Sequence, residues 1–425
     1  MNFGFLKTIW NIDFLIGLSV FISSYIFFKE PFEGYFHYII FLMLLPYFIM
    51  RYGFERLPFY FLAIPTLLGL INIIFENVSI FPFIKIFGGM LLSVTFYNYV
   101  FIHYQRDFAK IFSIYLHGIV FCCFLGLLQL VSYNIGFQFG YNFSWIFNKW
   151  GFVKGSLAGI RVNSIFSEPA QFALMLLPAI FIVLNNFIQR KFEILNFRQS
   201  ILILVLLILT GSSTGYLGLF VALVILAVHY GRLFNLMAIS MIAIAGAYFL
   251  YYNVDEFQYR VDSMVNLWTK EEYTIEDINS SSFVLYNNLQ VAWQSFTSNF
   301  LFGTGLGSFP EVYEKYSMTK AEDFIIKSGF DFNSQDGNSL FIRTMAETGI
   351  AGVLFWVFFI PRFFIKRVVS DKGDNNWIIS SACLVLIIGY LLRQGNYFLN
   401  AFPMFVLMYY YMNVEYRRGL IKNGF

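Results

Sequence analysis

The sequence predicts an all-α integral membrane protein of about twelve transmembrane helices with one large extracytoplasmic loop. Composition, the length of the apolar runs and the side on which positive charges fall carry that reading. Apolar residues make up 58% of the 425 and charged residues only 12%, with a mean hydropathy of +0.66. Most of the chain therefore lacks the polar residues of a solvated surface, and the lipid bilayer is its natural solvent. A net charge of +3 is too small to suggest a nucleic-acid partner.

The first apolar run, 12–28, follows Lys7 and has the outline of a signal sequence. No small-residue cleavage site precedes Lys29 and Glu30, so a retained span is expected. Further runs lie at 35–50, 58–76, 81–101, 110–132, 169–188, 199–211, 214–230, 233–252, 339–361, 376–393 and 397–413. Most approach the ~20 helical residues that cross a hydrocarbon core. The seventh is short, and the turn at Gly211, Ser212 and Ser213 that ends it is a soft boundary.

Positive residues of short loops stay on the cytoplasmic side. Twelve spans with a cytoplasmic N-terminus place Lys7, Arg51, Arg56, Arg106, Lys110, Arg190, Lys191, Arg198, Arg232, Arg362, Lys366, Arg367, Lys372, Arg417, Arg418 and Lys422 inside. Both termini are then cytoplasmic. The chain divides into spans at 1–252 with an outer loop at 133–168, a large outer loop at 253–337, and spans with a cytoplasmic tail at 338–425. The large loop carries thirteen acidic and five basic residues and is the part most like a soluble domain. Cys122, Cys123 and Cys383 sit in apolar runs, so no disulfide framework is expected in the loops.

Within the large loop, Phe283, Tyr286, Leu289, Trp293 and Phe296 recur at helical spacing over 282–299. One amphipathic helix is expected there, lying on the bundle or the membrane surface. The following Gly303, Gly305 and Gly307 read as a turn ending it. There is no internal repeat of the first six spans.

Charged groups in or beside a span are expensive, which makes the outer set Lys85, Arg161, Glu168, Arg343, Glu347 and Arg393 candidates for function. Arg161 precedes a helix start at which Ser167 is a candidate cap and Pro169 fits the first turn, an anion seat or a snorkelling arginine. Ser339, Arg343 and Glu347 recur every four residues and share one face, so Arg343 and Glu347 read as substrate groups or as an internal ion pair. Arg393 ends the eleventh span before Gly395 and Asn396. Three arginines at three outer mouths suit one diphosphate, because guanidinium forks bind phosphate oxygens bidentately. Lys154, Asp336, Asn338 and Ser339 complete the substrate-binding candidates. His37, at the outer start of the second span, reads as an interfacial polar tip. No metal-ligand cluster, nucleophile elbow or phosphate loop is present, so a reaction without metal or cofactor is expected.

In this order, Arg161 to Pro169, the Leu209-Thr-Gly-Ser-Ser-Thr-Gly215 turn, Asn299 to Phe309 and Asn338 to Gly352 resemble landmarks of the O-antigen polymerases and their relatives the O-antigen ligases. In ligases a histidine commonly stands at the position of Asn338, and an arginine at that of Ser213. The Leu391-Leu-Arg-Gln-Gly-Asn-Tyr397 run is more similar to polymerases. The resemblance implies a GT-C-like bundle in the bacterial inner (plasma) membrane. It implies a metal-independent glycosyltransferase that moves a growing glycan from undecaprenyl diphosphate to a lipid-linked repeat unit at the outer face, with a chain-length regulator as a membrane partner. Arginines would stabilise the leaving diphosphate, and Glu168, Glu347 and Asp336 are candidates for the general base. The alternatives are a ligase that transfers the glycan to lipid A-core and a lipid-linked oligosaccharide flippase. A flippase is usually built from related halves with short loops, unlike this chain.

The charge distribution makes a topological prediction. A cysteine at Ser281 should react with an impermeant maleimide in intact cells, and one at Lys422 should react only after permeabilisation. The reverse pattern would invert the assignment.

Overall fold

The computed structural model describes residues 12–23, 25–29, 33–147, 151–155, 158–231, 251–253, 255–269, 279–317, 332–368 and 376–422, with isolated positions between 241 and 248. Helices dominate, as they must where hydrocarbon offers the backbone no hydrogen-bond partner. Among the described residues, seven helices are long and apolar enough to cross a membrane. They are α3 (Leu57–Ile74), α4 (Ile80–His103), α5 (Phe108–Asn134), α6 (Pro169–Gln189), α8 (Ser213–Tyr230), α12 (Leu340–Arg362) and α13 (Asn376–Arg393). Three shorter apolar helices, α1 (Ile12–Phe21), α2 (Phe36–Tyr52) and α7 (Phe197–Leu209), and the last helix α14 (Phe402–Lys422) join them. The expected ninth span, 233–252, lies largely outside the described residues.

Two expected spans have different ends. The helix of the first stops at Phe21, and Ile26–Phe28 (β1) pairs antiparallel with Gly34–Tyr35 (β2). The aromatic and β-branched run at Tyr25 to Phe28 favours a strand, and Ser23 donates a hydrogen bond to the Asn400 side chain. The last helix starts at Phe402 rather than 397, because Asn400 and Ala401 adopt left-handed φ of 48° and 56°.

At the centre stands α6, apolar and buried round most of its circumference, packed between α8 and α13. One end of the bundle collects Arg106 with Glu415, Lys110 with Asp13, Arg417 on the Arg362 carbonyl, and Arg367 over the Tyr230 and Trp377 rings. Arg161 and Arg393 lie at the opposite ends of the helices.

The large loop folds as α9 (Asp255–Thr269), α10 (Ser280–Ser298) and α11 (Phe309–Tyr316). The expected loop helix is present as α10, but its buried face is Phe283, Val284, Asn287, Asn288, Val291, Ala292 and Ser295. That face packs on α11 and on the first turns of α12, in a core with Phe309, Val312, Ile342 and Met345. Of the expected stripe only Phe283 is buried in it.

Helix α12 is broken at Gly349, whose φ of 59° and ψ of −146° are open to glycine alone. The loop after α10 fills the break. Thr304 N–H donates to the Ala346 carbonyl (3.1 Å), Gly305 N–H to the Glu347 carbonyl (2.8 Å), and Ile350 N–H to the Phe300 carbonyl (2.8 Å). Gly303, Gly305 and Gly307 all take positive φ, so the run is more than the simple turn expected. Cβ atoms there would strike the Glu347 backbone, Asn72 and Val78, and the Pro82 carbonyl. The three glycines thus press the loop against both the helix break and the α3–α4 turn.

Gly349→Ala should destabilise the protein by roughly 1–3 kcal/mol from backbone strain alone, with more from the clash of its Cβ with the Phe300 carbonyl. Thermal unfolding in detergent measures this, and Gly352→Ala, whose only close contacts lie within its own helix, provides the comparison.

Candidate functional site

The turn between α7 and α8 is the meeting point. Thr210 ends α7, its hydroxyl bonding the Leu207 carbonyl, and Gly211 reverses the chain with a φ of 55°. On one side lies a β-ribbon of Val153–Gly155 (β3) and Gly159–Arg161 (β4). Arg161, its last residue, donates from Nε to the Thr210 carbonyl at 3.0 Å, while Val162 N–H bonds the Leu209 carbonyl. The chain beyond is pinned in the bundle by polar groups. Asn163 Oδ1 accepts from Gln129 of α5 (2.7 Å), Gln129 Oε1 accepts from Ser164 N–H (3.0 Å), and the Ser164 hydroxyl donates to the Cys122 carbonyl (2.7 Å).

On the other side, Arg393 ends α13 and donates from Nη2 to the hydroxyls of Ser213 (3.4 Å) and Ser281 (3.1 Å). It ties the first residue of α8 to the first turn of α10, which Asn279 caps. One turn thus receives Arg161 through its carbonyl and Arg393 through its hydroxyl. Both arginines are partly exposed.

Arg343 differs. Its side chain is 4% exposed and that of Glu347 is fully buried, with Nε 2.8 Å from Oε1. Glu347 Oε2 accepts from the Tyr397 hydroxyl (2.8 Å), and Oε1 lies 3.4 Å from the Phe309 amide at the start of α11. Arg343 also donates to the Gly395 carbonyl (3.1 Å), with its guanidinium 4.8 Å from the centre of the Tyr397 ring. Of the two expected readings, the geometry is that of the internal ion pair. Helical rise puts Arg343 near the outer interface, but the loop and the Gln394–Phe398 turn cover it, so neither it nor Glu347 reaches the surface. The pair fixes the turn that follows Arg393.

Other candidates take varied places. Glu168, exposed, occupies the N-cap position of α6, where Ser167 was expected, and no side chain caps that helix. Ser339 caps α12, accepting from Ile342 N–H (3.3 Å) and donating to the Leu391 carbonyl (2.6 Å). Asn338 has a left-handed φ of 56°, and its backbone N–H donates to Asp336 Oδ1 at 3.1 Å. The Asp336 backbone lies against Gly395, where a Cβ would collide with it. Lys154 is exposed on β3 opposite Ile160, so strand alternation sends it and Arg161 to opposite faces of the ribbon. Lys85 stands apart, exposed on α4 in a stripe with Phe81 and Ile84. His37 is buried rather than interfacial, its ring stacked on Tyr35 and set edge-on to Phe41. Among the described residues no group of His, Cys, Asp or Glu is arranged to hold a metal.

Ser213 entered the sequence reading only as the position where ligases carry an arginine, Ser281 only as a labelling position, and Gln129 and Tyr397 were given no role. The first three are uncharged and carry no spacing signal. Tyr397 lay in the quoted Arg393 run, but only its place beside Glu347 distinguishes it from the other aromatic residues.

Residues 200–357 match the family model described as O-antigen ligase. The matched segment begins in α7 and ends in α12, and so contains the Thr210–Ser213 turn, the large loop and the Arg343–Glu347 pair. The match supports a place among the O-antigen polymerases and ligases and a glycosyltransferase-like activity of that type, without separating the two. No curated protein matches the chain.

Removing one partner of a buried ion pair leaves an uncompensated charge, so Glu347→Ala should cost about 3–5 kcal/mol. Joint replacement, Arg343→Met with Glu347→Leu, should recover much of that loss. Detergent melting of the single and double variants checks both expectations.

Proposed function

We propose that the protein is a polysaccharide polymerase of the plasma membrane. In this reading it transfers a growing glycan from undecaprenyl diphosphate to a hydroxyl of a lipid-linked repeat unit, at the outer face. The observation that carries the proposal is the approach of Arg161 and Arg393 to the single Thr210–Ser213 turn. A guanidinium carries five N–H donors in a planar fork, and two such forks approaching one turn suit a diphosphate leaving group. The positive-inside rule puts the Arg106–Glu415 end in the cytoplasm, and the arginine turn then faces outward with both termini inside.

Arg343 and Glu347 serve here as a strut. Glu347 is poorly suited to be the base because it is fully buried and both its oxygens are engaged. Glu168, exposed at the start of α6 and seven residues from Arg161, is the better placed carboxylate, with Asp336 beside Gly395 as the other. Asn338 can donate and accept hydrogen bonds but cannot take up a proton near neutral pH, so it orients a sugar hydroxyl. The reading needs no metal, because the arginines neutralise the charge that develops on the leaving group.

The second reading is a ligase, favoured by the description of the matching family model. Asn338, where ligases commonly carry histidine, argues for the polymerase. Gene deletion separates them: polymerase loss leaves core bearing one repeat, whereas ligase loss leaves bare core.

Arg161→Lys and Arg393→Lys keep the charge and lose the fork. Each should lower polymer yield about tenfold or more, the scale of one charge-assisted hydrogen bond, at unchanged protein level. In a reconstituted assay with lipid-linked repeats, Glu168→Gln should cost on the order of a hundredfold in rate, and Asn338→Ala should shorten chains without abolishing them. Normal polymerisation by Arg161→Ala would remove that residue from the site.

A further inference from the structure

Helix α10 carries two apolar faces. One, built of small and polar residues with Phe283 and Val284, is buried on α11 and α12. On the other side stand the larger Tyr286, Leu289, Trp293 and Phe296, of which Tyr286, Leu289 and Phe296 are half-buried at the edge of the same core, Tyr286 also against the Trp268 ring of α9 (4.9 Å), and Trp293 points outward. Trp293 is 55% exposed, and Phe300, Leu301 and Phe302 beyond the helix end are exposed as well. Their rings run on from one another, Trp293 to Phe296 at 6.1 Å and Phe296 to Phe300 at 5.1 Å. Four large apolar side chains, Trp293, Phe300, Leu301 and Phe302, thus form one contiguous exposed patch rather than scattered surface residues.

The patch also lacks the charge that would solvate it. No Asp, Glu, Lys or Arg occurs between Asp277 and Glu311, although the loop as a whole is the most acidic part of the chain. Its position is fixed by Asn72, whose side-chain amide donates to the Phe302 carbonyl at 3.2 Å, and by Gly305 and Gly307 against the α3–α4 turn. Around that turn Ile74, Phe75, Ile80 and Phe81, at the ends of two membrane-crossing helices, are exposed too. The loop patch therefore continues the lipid-facing surface of the spans.

We infer that the Trp293–Phe296 edge of α10 and the Phe300–Phe302 turn are seated in the headgroup boundary of the bilayer and hold the large loop down on the membrane. Trp and Tyr favour that boundary, where an apolar ring and a polar tip are both satisfied. The inference concerns where the loop lies and is independent of the reaction proposed above.

Site-directed spin labelling tests it. Nitroxides at Trp293→Cys and Phe300→Cys, with the native cysteines replaced, are introduced into the full-length protein in phosphatidylethanolamine–phosphatidylglycerol vesicles. Their oxygen accessibility should exceed their nickel-chelate accessibility, and the ratio should be several-fold higher than at Ser281→Cys or Glu311→Cys. Equal ratios at all four positions would place the face in water and overturn the inference. Dipolar broadening between labels on two molecules would show a second copy covering it and would overturn it equally. A measurement that keeps the native cysteines is quenching of tryptophan fluorescence by lipids brominated near the headgroup. Trp293→Phe should lose a clear share of the quenching seen in the wild type, and an unchanged quenched fraction would also overturn the inference.

Discussion

The rule that hydrocarbon leaves no backbone group unsatisfied governs this molecule most visibly where it comes closest to being broken. Helix α12 stops being helical at Gly349 inside the bundle, freeing the carbonyls of Ala346 and Glu347 and the amide of Ile350. Each exposed group left unpaired in the membrane would cost several kcal/mol. The break survives because the chain following α10 brings in Thr304, Gly305 and Phe300 as its partners. Only glycine allows so close an approach at Gly303, against the Glu347 backbone, while Gly305 and Gly307 allow the same loop to lie against Asn72, Val78 and Pro82 around the α3–α4 turn. A large loop and a transmembrane helix are thereby made one structural unit, and α10 and α11 owe their positions to it.

The arginine arrangement follows from the same unit. Above the break, Glu347 holds Arg343, Tyr397 and the start of α11, and Arg343 holds the Gly395 carbonyl. Arg393 lies two residues before Gly395, so its side chain leaves a turn fixed from within the bundle. Arg161 reaches the same neighbourhood from a different direction, on a β-ribbon anchored through Asn163 and Ser164 to Gln129. Burial distinguishes the roles. An arginine that is 4% exposed and bonded to a carboxylate organises the protein, whereas Arg161 and Arg393 are partly exposed and bonded to a carbonyl and two hydroxyls, which is why the proposed reading gives the ligand to them.

Much of the helical content was legible in the sequence because apolar runs and charge placement are large, additive signals. The helices at 57–74, 80–103, 108–134, 169–189, 213–230, 340–362 and 376–393 fall within a few residues of the runs that predicted them. The errors lie where a local signal competed with a tertiary one. A run of aromatic and β-branched residues at 25–28 was apolar enough to extend a span but folds as a strand. The periodicity of Tyr286, Leu289, Trp293 and Phe296 marked a helix face correctly, yet periodicity reports only that a face is apolar and not what covers it. The i, i+4 spacing of Arg343 and Glu347 likewise announced an interaction without disclosing its depth, which is set by residues fifty positions away in the Gln394–Phe398 turn. The contact of Ser213 and Ser281 with Arg393 left no trace, although Ser213 stood within a landmark turn, because a hydroxyl that matters looks like any other hydroxyl until Arg393 is placed beside it.

On the proposed reading, a reaction between two lipid-linked molecules adds a constraint that soluble glycosyl transfer lacks: both substrates remain anchored, so the reactive groups must meet at a height fixed by the bilayer. A seat for a diphosphate must then be rigid along the membrane normal while staying open laterally. Vertical position is fixed by groups within the bundle, the Arg343–Glu347–Tyr397 cluster beneath Arg393 and the Gln129–Asn163 contacts beneath Arg161. The loop joins the same scaffold through the break at Gly349, and Ser281 at the head of α10 touches Arg393 itself. A tilt of α10 would therefore move one of the hydroxyls that holds Arg393. The Trp293–Phe296 edge along its outer side gives that helix a reference to the lipid surface, which couples the height of the loop to the position of the arginine at the candidate site.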